Sequence, residues 1–79
     1  MRGKLFMLTY NHFKCQSMKA RISWVQSKLI SLGYLKEGDS VPTKRDKAFI
    51  KAFKKFQQDN GFTTNAEIHE NEFVILNRS

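Results

Sequence analysis

Cysteine and proline each occur once in the 79 residues and glycine four times, and there are seven acidic residues against fourteen lysines and arginines. Each shortage excludes something. The lone Cys15 closes no internal disulfide, so nothing in the chain calls for an oxidising compartment. There is no apolar run of the roughly 18 residues that a membrane span needs. The short run from Leu5 to Tyr10 is interrupted by Thr9 and followed by Asn11, His12 and Lys14, without the small-residue cleavage pattern of a secretion signal. Cytoplasmic residence is therefore the default expectation, and reaching anything outside the membrane would require lysis or another export route. His12 and His69 are far apart and Cys15 has no base at a catalytic spacing, so neither a metal site nor a thiol dyad is expected, and no cofactor. Paired carboxylates and a phosphate-cradling glycine loop are missing too, and a chain this short leaves little room for an enclosed cleft. Binding is expected rather than catalysis.

What is present is positive charge and phenylalanine. Net charge is +7 and seven of the residues are Phe. Residues 1–58 hold 13 of the basic residues against Glu37, Asp39 and Asp46, whereas residues 59–79 hold Arg78 against Asp59, Glu67, Glu70 and Glu72. A basic body with an acidic tail points to an anionic partner or to pairing of tail with body. The anion is open at this level: nucleic acid, lipid, an acidic protein surface or the carboxylates of a wall polymer. A lysine face kept for solubility competes with all of these.

Helical periodicity organises the chain. In KRDKAFIKAFKKFQQDNGF, Lys44 to Phe62, the residues Ala48, Phe49, Ala52, Phe53 and Phe56 fall between about 40° and 180° when Lys44 is zero and each residue turns about 100°. Lys44, Lys47, Lys51, Lys54 and Lys55 fall on the opposite face, and Asn60-Gly61 supplies the stop. This long helix is expected to begin near Pro42 or Thr43. An earlier helix runs from Lys19 to Leu32 with Ile22, Val25, Leu29 and Leu32 on one face and Gly33 as its stop. A loop spans Leu35 to Thr43, and a short third helix covers Glu70 to Asn77 with Phe73, Leu76 and Ile75 as its apolar residues. Residues 1–17 lack clear periodicity and read as an N-terminal arm, for which a short strand over Phe6, Leu8 and Tyr10 or a helical turn are both open. The expected architecture is all-α: three helices around one core over residues 18–79, preceded by the arm, as a monomer.

The pattern Ile22-x-x-Val25-Gln26-x-x-Leu29-x-x-Leu32-Gly33-Tyr34, then Ala52-Phe53-x-x-Phe56-Gln57-x-x-x-Gly61-Phe62 and Phe73-x-x-Leu76, resembles the peptidoglycan-binding domain family over about residues 19–77. The resemblance implies a three-helix bundle that attaches to murein or to a wall-associated protein, in a standalone form that suits a phage-like protein. It also implies that Gln26 and Gln57 make structural hydrogen bonds to backbone. The loop between the first two helices is atypical, with Gly38-Asp39-Ser40-Val41-Pro42-Thr43 and a lysine-rich approach. Phe49 stands at the family's threonine position, and His69 stands where a capping aspartate is common.

The candidate surface is Arg21, Trp24, Lys28, Tyr34, Asp39 and Ser40. Trp24 lies off the Ile22–Leu32 stripe, and Arg21 and Lys28 flank it at i−3 and i+4. An exposed aromatic between cations would stack on a sugar or base while the cations meet carboxylate or phosphate. The competing reading packs Trp24 beneath the arm, against Leu5, Phe6, Met7 or Phe13. The basic face Lys44, Lys47, Lys51, Lys54 and Lys55 is the second candidate, suited to phosphates but lacking interleaved aromatics or arginine forks. Phe49, Phe53 and Phe56 are expected in the core.

Overall fold

A computed structural model describes residues 9–78. The described residues form four helices: α1 Tyr10–Lys14, α2 Met18–Leu32, α3 Lys47–Asp59 and α4 Glu70–Asn77. There is no strand among the described residues, and none of their helices is long and apolar enough to cross a membrane. Helix α2 packs on both α3 and α4, and α1 lies against α4.

The arm therefore contains a helix of its own. Thr9 caps α1, its hydroxyl accepting the His12 N–H at 3.1 Å, so Tyr10 opens a helix; Phe6 and Leu8 of the alternative strand lie outside the described residues. Phe13 is 2% exposed and belongs to the same core as Ile22, Val25, Leu29, Phe49, Phe53, Phe56, Phe73 and Leu76. Residues 10–14 are thus one more layer of the bundle rather than an appendage, held by rings that replace water contact with aromatic contact.

Helix ends follow the local chemistry. At Gly33 (φ 90°) and Gly61 (φ 75°) the backbone enters the left-handed region, and the next residue's N–H reaches back five residues, from Tyr34 to the Leu29 carbonyl and from Phe62 to the Gln57 carbonyl, both at 2.9 Å. This is the closure in which glycine avoids the Cβ clash and orphan carbonyls find donors. The turn after α2 also corrects one expectation. Leu32 is 40% exposed, and Leu35 at 6% fills the core instead, because Leu32 sits on the edge of the apolar stripe where the chain turns away. Helix α3 likewise begins at Lys47, later than Pro42 or Thr43. Asp46 is its N-cap and Thr43 adopts φ 64°, which breaks any helix entering from the loop. Lys44 consequently lies in the loop and not on the helical basic face.

Two buried glutamines hold the connections. The Gln26 amide nitrogen donates to the Ser40 hydroxyl (2.9 Å) and to the carbonyls of Val41 (2.9 Å) and Lys44 (3.1 Å), while its oxygen accepts the Thr43 N–H at 3.1 Å. Gln57, with no exposed surface, donates to the Asn65 side chain (3.1 Å), the Glu67 carbonyl (3.1 Å) and the Glu72 carboxylate (2.9 Å). Its oxygen accepts the N–H groups of Asn65 (3.1 Å) and Ala66 (2.8 Å). Among the described residues the non-glycine positions with positive φ are Thr43 at 64° and Ala66 at 60°, and each has its N–H taken by a glutamine oxygen. Left-handed backbone at such residues costs roughly 1–2 kcal/mol, and the amides offset it.

Gln57→Leu should lower the unfolding free energy by about 3–5 kcal/mol, because it strands several buried polar groups at once. The neighbouring exposed Gln58→Leu should change it by no more than about 0.5 kcal/mol; urea denaturation followed by circular dichroism measures both.

Candidate functional site

An open depression lies between the start of the α2–α3 loop and the flank of α3. Its volume is about 710 Å³, and it is lined by Tyr34, Leu35, Asp39, Ala48, Lys51, Ala52, Lys54, Lys55 and Gln58. Buried Leu35 and Ala52 and half-buried Ala48 supply an apolar floor, and three exposed lysines stand along one side. The arrangement follows from the α3 periodicity: alanines every fourth residue leave a shallow furrow, and the lysines occupy the adjoining solvent face.

Tyr34 closes one end. Its ring meets Phe56 edge-on at 5.8 Å and its hydroxyl donates to Asp59 at 2.9 Å. Burial, then the hydrogen bond to and the negative charge of Asp59, raise the Tyr34 pKa above its ordinary value, so the phenol stays a neutral hydrogen-bonding group throughout the physiological range. Asp59 also faces Lys55 at 3.7 Å, a contact between well-exposed side chains that contributes little to stability. Lys51, Lys54 and Lys55 all line the furrow.

The predicted surface does not come together as one patch. Tyr34 and Asp39 share the furrow with Lys51, Lys54 and Lys55, while Arg21 lines a different groove beside α1. Ser40 is structural: it donates to the Asp46 carboxylate at 2.8 Å and accepts from Gln26. Trp24 is not an open stacking platform. Its indole is half-buried, 5.2 Å from the rings of both Phe13 and Phe73, nearly parallel to the latter at 23°, and the Lys28 ammonium lies 5.5 Å from its centroid. Packing against Phe13 is thus the reading that holds for the described residues, and Leu5, Phe6 and Met7 lie outside them. Of the helical basic face, Lys51, Lys54 and Lys55 line the furrow; Lys47 is exposed on the same helix, and Lys44 is displaced into the loop.

Sequence reasoning missed the furrow floor, because Leu35 was assigned to a loop and the alanines to the core. It also missed Arg45, whose guanidinium donates to the Ala66 carbonyl across 21 positions. No periodic signal announces either. Among the described residues no three His, Cys, Asp or Glu side chains gather as a metal site requires.

The loop that carries Asp39 is braced by Asp46. Its carboxylate accepts from the Val41 N–H (2.8 Å), the Ser40 hydroxyl (2.8 Å) and the Phe49 N–H (3.1 Å). The Val41 bond first, then those of Ser40 and Phe49, hold its pKa below the ordinary aspartate value. A depressed folded pKa stabilises the fold above the unfolded value, and that contribution disappears as pH falls through the folded one. Urea midpoints measured from about pH 6 down to about pH 2.5 should therefore show Asp46→Asn less stable than wild type at the upper end. The gap should begin to narrow below about pH 4 and close in stronger acid.

No family model, curated protein or solved structure matches this chain, so the geometry of the two braced loops and the lysine-flanked furrow stands by itself.

Proposed function

We propose that the protein is a non-catalytic binding module that attaches to an anionic polymer, with cell-wall peptidoglycan, or a protein that processes it, as the partner. The furrow between Tyr34 and Lys51 is its contact surface. The observation that carries the reading is this furrow: an apolar floor against which a sugar or peptide face can lie, a neutral tyrosine hydroxyl, and Lys51, Lys54 and Lys55 placed for carboxylates. Support also comes from the positions behind the peptidoglycan-binding resemblance. Gln26, Gly33, Gln57 and Gly61 brace or close the connections here, and Leu29, Phe53, Phe56, Phe73 and Leu76 are buried in one core. In this role Asp39 and Tyr34 orient the ligand by hydrogen bonds and the lysines supply attraction without geometric selectivity. The module acts as a monomer and in trans, alongside a separate wall-degrading activity, as a small phage-like accessory would.

A second reading, binding of nucleic acid or of an acidic protein within the cytoplasm, rests on the exposed Lys47, Lys51, Lys54 and Lys55. It differs in its salt response, since each phosphate neutralised steepens the loss of affinity with added salt.

Purified murein sacculi should co-sediment with the folded protein at low salt. Reversing charge at two furrow positions, Lys51→Glu with Lys54→Glu, should weaken retention roughly tenfold, the scale of two surface charge contacts. A folded wild-type protein left in the supernatant would sink the wall reading. Tight binding to duplex or single-stranded DNA that collapses between low and moderate salt would put the second in its place.

A further inference from the structure

A second concavity, separate from the lysine furrow, lies where α1, the start of α2 and the chain before α4 converge. Its volume is about 190 Å³, somewhat above the roughly 150 Å³ of an apolar cavity that accepts benzene. Buried Phe13, Ile22, Phe49 and Ala66 supply much of its lining, and Met18 stands at its lip with 60% of its surface exposed. Three cations, Lys14, Arg21 and Arg45, share this lining with a single carboxylate, Glu67.

Arg21 is the unusual member. Its Nε is buried yet has no hydrogen-bond partner among the described residues. A buried donor left without an acceptor costs about 1–3 kcal/mol. Arg45 differs, because its guanidinium already donates to the Ala66 carbonyl. The groove thus combines apolar volume for about one large side chain with an excess of positive charge.

The geometry points to a binding site for the free C-terminus of a peptide that ends in an apolar residue. The terminal side chain enters the space over Phe13, Ile22 and Phe49, and the carboxylate meets Arg21, with Lys14 and Arg45 nearby. Glu67 accepts the N–H of the terminal residue. That last contact favours a peptide over a fatty acid, which offers a carboxylate and an apolar tail but no N–H for the acidic group. The site does not depend on the wall-binding reading, since it shares no residue with the furrow.

The test is a titration of the full-length, isotope-labelled protein by NMR with two probes, acetyl-Ala-Leu bearing a free carboxylate and the same dipeptide as its amide. The free acid should shift the backbone resonances of Arg21, Ile22, Phe49 and Ala66 and bind about tenfold more tightly than the amide, because a charge-assisted pair replaces a neutral one. In Arg21→Met that preference should fall toward unity, while Arg21→Lys should keep part of it. Lys14→Met, an exposed change on α1, should reduce affinity without removing the preference and serves if Arg21→Met does not fold. Equal binding of acid and amide by the wild type, or shifts confined to the residues of the lysine furrow, would overturn the proposal. Hexanoate binding as tightly as the dipeptide acid would overturn the assignment to a peptide terminus.

Discussion

The structure depends on two primary amides being buried with every polar atom engaged. A glutamine removed from water needs partners for a two-hydrogen donor and a carbonyl, and the cost of leaving them unmade exceeds the small net gain of making them. Gln26 and Gln57 resolve this in the same manner, each taking its partners mainly from the loop that follows its own helix. The consequence reaches beyond the amides. Because those loops must present N–H and C=O groups inward at fixed points, Thr43 and Ala66 are driven into left-handed backbone, and helix α3 cannot start before Asp46. A network of this type is worth little if one member is missing and a good deal if all are present.

The aromatic residues solve a different problem. A five-residue helix has almost no stability of its own, since nucleation costs more than one turn of hydrogen bonds returns. Helix α1 persists because Tyr10 and Phe13 enter a ring cluster with Trp24 and Phe73, at centroid separations of 5.1 to 6.4 Å. Trp24 is therefore used to dock α1 between α2 and α4. Its position off the main apolar stripe of α2 serves a second, smaller stripe that meets the arm. The lysine beside it covers the indole through a cation–π contact rather than flanking an open ligand platform.

Charge is sorted by the same packing. The acidic tail is spent partly inward and partly locally: Glu72 is buried against Gln57 and accepts the N–H of His69 at the start of α4, Asp59 takes the Tyr34 hydroxyl, and Glu67 lines the arginine groove. Of the α3 lysines, Lys55 meets Asp59 at 3.7 Å. Six of the basic residues line two concave surfaces, one flanked by lysine and open, the other arginine-bearing and smaller. Lysine provides diffuse attraction and arginine directed hydrogen bonding, so the two surfaces differ in the ligand geometry they can select.

Much of the helical framework was legible in the chain. The period of Phe49, Ala52, Phe53 and Phe56 marks the buried face of α3, Gly33 and Gly61 mark its neighbours' and its own ends, and Glu70 to Asn77 is helical with the bounds its composition indicates. These features depend on residues three to five positions apart, where backbone geometry alone relates sequence to space. The candidate surface was not legible in the same way. Whether Trp24 faces water depends on Phe13 and Phe73, 11 residues before it and 49 after it. Whether Arg21 shares a groove with Arg45 and Glu67, and Tyr34 with Lys51 and Lys54, depends on how separate helices cross. Sequence determined α2, α4, the buried face of α3, the glycine stops and the sign of the charge; tertiary packing decided that residues 10–14 form a helix, which aromatic was consumed as mortar and which cations share a cavity, because those outcomes require contacts that no local periodicity encodes.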